Sequence, residues 1–238
     1  MTAAAARAET VAAIAELRIV GIVRMPSAPE AVERGELLVA AGLTIVEVAL
    51  TTPSGIEAIA ALAAVRDGRI VGAGTVLDAP TAREAVAAGA RFLVSPGLDE
   101  DVVREAARLG VASMPGAATA TEVMRARSAG ADFVKLFPAS TYGVGHLRAL
   151  RAVFPDVAFV PTGGVDATSA RAWLDAGACA LAVGSALSRG QAREAEREAR
   201  ALLAAAAYER PRESRAGSAP PVNRPARARR APRGRRPA

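Results

Sequence analysis

Cysteine, histidine and lysine each occur once in these 238 residues, as Cys179, His146 and Lys135. A lone cysteine excludes an internal disulfide. One cysteine and one histidine leave too few nitrogen and sulfur donors for an ordinary zinc site. Aromatic residues make up 3% of the chain, so its core must be built from Ala, Val, Leu and Ile, and the 51% hydrophobic content suffices for a large one. No run of about 18 apolar residues occurs, so no membrane-spanning helix is expected. Arg7, Glu9 and Glu16 interrupt the Ala-rich N-terminus, which does not read as a signal peptide. The chain is expected to be soluble and cytoplasmic.

The net charge of +6 is unevenly spread. Residues 209–238 hold ten Arg and two Glu, or +8, which leaves −2 for residues 1–208. That last segment is rich in Arg, Pro, Ala, Ser and Gly and has no apolar periodicity, so it is expected to be disordered. Its charge suits non-specific contact with nucleic acid. It has no aromatics for stacking and no recognition motif, so a nucleic-acid partner is not expected. The chain divides accordingly into a folded domain over 1–208 and an Arg/Pro-rich tail over 209–238.

Within the folded domain a single unit repeats. An Ala-rich helix is expected over residues 3–17, then a strand over 18–24. A helix follows, opened by Ser27 with Glu30, and then a strand over 43–50. Helix after helix ends at Gly42, Gly68, Gly89, Gly110, Gly130, Pro155 or Gly177, where glycine accepts the left-handed turn that closes a helix. Thr52-Pro53, Thr119 with Glu122, and Asp166 mark helix starts. A short apolar strand follows every joint: 70–71, 91–94, 111–114, 132–136, 157–160 and 179–183. Unbroken apolar strands alternating with helices imply a parallel sheet covered by helices. Eight such units predict an α/β fold of the (β/α)8 TIM-barrel type with an N-terminal helix and a closing helix over 188–207. A doubly wound open sheet is the alternative.

Lys135 lies inside the apolar run Asp132-Phe-Val-Lys-Leu136, in a chain whose other cationic side chains are all arginine. Arginine stays protonated and cannot act as a nucleophile. An amine in an apolar pocket loses its proton more readily and can form a Schiff base with a carbonyl. The bland reading is a lysine whose stem is buried and whose head reaches water. Glu47, inside Ile45-Val-Glu-Val48, is a second ionisable group in an apolar strand. It reads either as an ion-pair partner of Arg24 or Lys135, or as a general acid/base with a raised pKa.

In barrels of this kind the site lies at the C-terminal ends of the strands. That rim carries Arg24, Glu47, Lys135, and the turns Gly163-Gly164 and Gly184-Ser185 after strands seven and eight, where bare backbone can cradle a phosphate. Together they describe imine-dependent making or breaking of a C–C bond beside a keto acid, with Arg24 holding a carboxylate.

The stretches Ile45-Val-Glu-Val-Ala-Leu, Val71-Gly-Ala-Gly-Thr-Val-Leu, Val94-Ser-Pro-Gly-Leu, Met114-Pro-Gly, Val134-Lys-Leu-Phe-Pro-Ala, Pro161-Thr-Gly-Gly-Val and Val183-Gly-Ser-Ala-Leu run in order over residues 14 to 205. In this the chain resembles the 2-keto-3-deoxy-6-phosphogluconate (KDPG) / 4-hydroxy-2-oxoglutarate aldolase family. The resemblance implies a metal-free class I aldolase without a cofactor, a homotrimer of the Entner–Doudoroff pathway, acting on a phosphorylated keto acid. It makes Lys135 the Schiff-base lysine and Glu47 the proton-transfer residue. Thr75, Pro96, Phe137 and Thr162 would line the keto-acid pocket, and Gly163, Gly164, Gly184 and Ser185 the phosphate turns. Thr51 stands where some members carry an arginine, which leaves Arg24 to clamp the substrate carboxylate. The enzymes for the galactonate epimer are also similar, notably at Pro115-Gly-Ala-Ala-Thr-Ala-Thr121. A phosphate-binding barrel isomerase or synthase, with Lys135 given no covalent role, is the remaining alternative.

Overall fold

The structure, a computed structural model, describes residues 2–207. The tail expected at 209–238 and the end of the 1–208 domain therefore lie outside the described residues.

Helix α1 (Ala3–Leu17) is capped by Thr2, whose hydroxyl accepts from the Ala5 amide, and ends at Arg18 in the left-handed region. Its contact face is narrow, with only Thr10 and Ile14 buried. Strand β1 (Ile19–Val23) leads to α2 (Ala28–Ala40), and β2 (Ile45–Ala49) to α3 (Gly55–Ala64). The start of α3 falls later than Thr52-Pro53 predicts. Thr52 is buried and its hydroxyl accepts from the Met25 amide, so it ties down the turn after β2 and does not cap the helix. Strand β3 (Ile70–Gly74) runs past the expected Val71, because Gly72-Ala-Gly74 continue the pairing with β2. Then come α4 (Ala79–Ala87), β4 (Phe92–Val94), α5 (Glu100–Leu109) and β5 (Ala112–Met114).

A short strand not expected from the sequence follows, β6 (Gly116–Ala117). Met114 O accepts from Ser95 on the β4 side, whereas the carbonyl of Pro115 accepts from Lys135. Ser113 O also accepts from the Phe133 amide and the Gly116 amide donates to Gly97 O, so residues 112–117 pair on both sides and join the two sets of strands, with a break at Pro115, which has no N–H of its own to offer a ladder. The series continues with α6 (Ala120–Ala129), β7 (Val134–Leu136), α7 (Ala139–Val153), β8 (Phe159–Pro161), α8 (Ala167–Asp175), β9 (Leu181–Val183), the single turn α9 (Ser185–Ser188) and α10 (Ala192–Ala207). The full Thr119/Glu122 capping box opens α6, and Asp166 with Ser169 opens α8.

The architecture is α/β with a curled parallel sheet. One set of strands runs β5-β4-β3-β2-β1-β9 and the other β6-β7-β8, with Thr162 bridged to Ala182. Alternation along each strand sorts the apolar residues into two layers. Val46, Val48, Val134 and Leu136 face the helices. Ile22, Ile45, Phe92, Met114, Phe133 and Val160 form a separate inner cluster drawn from both sets of strands, so the sheet wraps around it. Ile14 of α1 belongs to the same cluster and closes its N-terminal end.

Candidate active site

The same alternation decides where the two anomalous residues point. Ile45 and Ala49 face inward, and so does Glu47 between them; Phe133 faces inward, and so does Lys135 two residues on. Each is the central residue of its strand, where the inner cluster gives way to a cavity of about 230 Å³. Lys135, Glu47, Arg24, Thr75, Pro96, Phe137, Thr162, Gly163, Gly184 and Ser185 all line it. Two expected members do not. Thr51 is exposed and lies off the wall, because its neighbour Thr52 takes the inward direction. Gly164 is set back, with its backbone against Ser140.

Lys135 is 6% exposed and Glu47 2%. Burial is the largest influence on each. It lowers the pKa of the Lys135 amine, with Glu47 opposing and Arg24 adding to the shift. It raises the pKa of the Glu47 carboxyl, against the pull of the Lys135 and Arg24 charges. Glu47 Oε2 is buried without a hydrogen-bond partner. A carboxyl left unsatisfied in this way is costly unless something else occupies the cavity or a proton sits on it. The Lys135 Nζ lies 5.0 Å from the centroid of the Phe137 ring. The cavity thus holds an amine and an acid that both lean toward their neutral forms. That combination suits attack on a carbonyl followed by proton transfer.

Two backbone features fix the carboxyl side. Thr75, directly after β3, has φ 63, a left-handed conformation that is strained for a branched residue. Gly74 leaves room for Glu47: a Cβ there would overlap Oε1 and Cδ of the carboxylate. Gly74→Ala is therefore expected to push the carboxylate aside, since the end of a side chain moves more easily than backbone. Activity should fall about 100-fold, the scale of a misplacement of about 1 Å. Unchanged activity together with an undisturbed fold by circular dichroism would refute this.

Three wall residues escape the sequence reading: Ile22, Ser188 and Arg189. The Ser188 hydroxyl donates to Ile22 O at 2.9 Å and accepts from the Arg24 amide at 3.1 Å. It fastens α9 to the end of β1, so the turn carrying Ser185 and the strand end carrying Arg24 are one connected unit.

A family model of KDPG and KHG aldolases matches residues 11–201. The chain belongs to the KDPG and KHG aldolase family. It is therefore a carbon–carbon lyase. The 2-dehydro-3-deoxy-6-phosphogalactonate aldolase of Escherichia coli K12 is 35% identical over 73% of this chain and 86% of its own. The 2-dehydro-3-deoxy-phosphogluconate aldolase of Zymomonas mobilis is 44% identical over 59% of this chain and 67% of its own. Among solved structures, the Legionella pneumophila KDPG aldolase, with pyruvate captured as a covalent carbinolamine intermediate, superposes with a TM-score of 0.71 at 27% identity. That match covers 82% of this aldolase and 95% of the other chain.

Proposed function

We propose that this aldolase cleaves 2-keto-3-deoxy-6-phosphogluconate to pyruvate and glyceraldehyde 3-phosphate through a Schiff base on Lys135. The observation that carries the reading is the burial of one lysine and one glutamate in the same cavity, each pushed toward its uncharged form. Neutral Lys135 adds to the C2 ketone of the substrate, and protonated Glu47 gives its proton to the carbinolamine hydroxyl, which leaves as water and yields an iminium. The Glu47 carboxylate left by that transfer takes the proton of the C4 hydroxyl as the C3–C4 bond breaks. The electron pair goes into the iminium, leaving an enamine, and the aldehyde departs. Protonation of the enamine at C3 and hydrolysis of the imine release pyruvate and restore the amine.

In this reading Arg24 pairs with the substrate carboxylate, and Thr75, Pro96, Phe137 and Thr162 shape the keto-acid pocket. Gly163, Gly184 and Ser185 hold the phosphate, helped by the turn at Gly164. The captured pyruvate adduct of the Legionella relative supports a covalent route. The galactonate epimer is the second reading, favoured by the Escherichia coli relative. The strand order together with the Thr162–Ala182 bridge supports a closed (β/α)8 barrel. The family resemblance supports a cytoplasmic homotrimer, and no helix among the described residues is long and apolar enough to cross a membrane.

The test is chemical trapping. Incubation with pyruvate and borohydride should add one pyruvyl group, and peptide mass spectrometry should place it on Lys135. Absence of an adduct under conditions where the protein is folded would favour a non-covalent barrel enzyme. Assays on both epimeric substrates and on 4-hydroxy-2-oxoglutarate then decide specificity.

A further inference from the structure

The cavity mouth carries a positive group that neither the sequence motifs nor the aldolase mechanism assigns. Arg189 follows the α9 turn, is exposed, and lines the same cavity as Gly163, Gly184 and Ser185. Several surface arginines are matched to carboxylates, as Arg104 is to Glu100 and Arg108 to Glu105; Arg189 and Arg24 are the arginines on the cavity wall among the described residues. Among the described residues Arg189 makes no ion pair. Among those residues, too, the only acidic side chain on the cavity wall is Glu47, which is buried at the opposite, inner end of the chemistry. Arg189 therefore lines the cavity and, among the described residues, pairs with no carboxylate.

Its backbone is also held. Arg34 of α2 is buried, 8% exposed, and its guanidinium donates to Leu187 O at 2.5 Å and to Gly190 O at 3.2 Å. These two carbonyls bracket Arg189. Gly190, at φ 75, makes the turn that ends the segment, and the Ser188 hydroxyl is bonded to β1. A buried cation bonded to the carbonyls on either side holds the backbone of Arg189 in place at the cavity rim. Arginine there offers a planar fork of donors suited to a phosphate group.

The geometry points to Arg189 as a specificity-determining residue. It pairs with the terminal phosphate of the substrate beside the Gly163 and Gly184-Ser185 turns, and so sets the preference for phosphorylated over unphosphorylated keto acids. This rests on the proposed aldolase function and adds a partner for the phosphate that backbone turns alone would leave uncompensated in charge.

The test compares two substrates in one variant. In Arg189→Ala, kcat/KM for the 6-phosphorylated keto acid should fall about tenfold to thirtyfold, mainly through KM, the range of one charge-assisted hydrogen bond at a partly solvated site. For unphosphorylated 4-hydroxy-2-oxoglutarate the fall should be less than about threefold. Inorganic phosphate, used as a competitive inhibitor of the second reaction, should bind more weakly by the same factor as the first reaction loses. Arg189→Lys should restore most of the selectivity. Equal losses on both substrates, or no change in phosphate inhibition, would overturn the proposal. Pyruvate trapping on Lys135 is run on the same samples. If wild-type protein fails to form the adduct, the aldolase reading fails; if it forms and selectivity is unaltered in Arg189→Ala, only the role of Arg189 fails.

Discussion

Lys135→Met is expected to lower aldol cleavage by at least about 10⁴-fold and to abolish the borohydride adduct with pyruvate. Methionine matches the lysine stem in length and is apolar, so the 6%-exposed position stays filled and the fold should persist. The variant removes a buried amine that desolvation already disfavours as a cation and leaves a Glu47 carboxyl that burial pushes toward its neutral form, so its stability should stay close to that of the wild type. This separates chemistry from folding: activity vanishes while the denaturant midpoint changes little. Lys135→Arg tests the nucleophile more narrowly. It keeps a cation opposite Glu47 but gives a group that stays protonated, so it too should be inactive and untrapped. Residual activity above about 1% in either variant would show that Lys135 holds substrate and does not bond to it. The pH dependence of trapping has a definite sign. With the amine pKa below its ordinary value of 10.5, adduct formation should reach its plateau at lower pH than for a free lysine.

Lys135 and Glu47 were legible because each breaks a pattern. An ionisable side chain in a continuous apolar strand has few structural reasons to be there, and period-two alternation says which way it faces. The helix ends were legible for a similar reason. Gly42, Gly68, Gly89, Gly110, Gly130 and Gly177 all adopt the positive φ that their positions suggested. What stayed hidden was set by tertiary contacts. Thr51 and Thr52 are adjacent and chemically identical, and only the contact between Thr52 and the Met25 amide decides which of the two turns inward. That residues 112–117 join the two sets of strands depends on which carbonyls the Phe133 and Lys135 amides find, which no local pattern encodes. Ser188 and Arg189 sit in Leu-Ser-Arg-Gly, a segment without periodicity, and gain their places from Ile22, Arg24 and Arg34, which are more than 150 residues away in the chain.

Glu47→Gln separates bond formation from proton transfer. Glutamine fills the same space over Gly74 but cannot accept and return a proton. If Glu47 is the acid/base, kcat should fall about 10²- to 10⁴-fold while pyruvate still forms its adduct on Lys135 at equilibrium. The variant also shifts its neighbour. The Glu47 charge is what opposes the lowering of the Lys135 pKa, so its removal should lower that pKa further and move the acidic edge of trapping to still lower pH. Stability gives an independent reading of the same group. A carboxyl whose folded pKa lies above its ordinary value of 4.5 binds more protons in the native state than in the unfolded chain. Wild-type stability should therefore decline as pH rises from 4.5 through the folded pKa, whereas Glu47→Gln should lack that decline. Should the variant keep full kcat, proton transfer must run through another group or through water. Should trapping itself disappear, Glu47 would be needed to activate or place the amine, and the division of labour between the two buried residues would have to be redrawn.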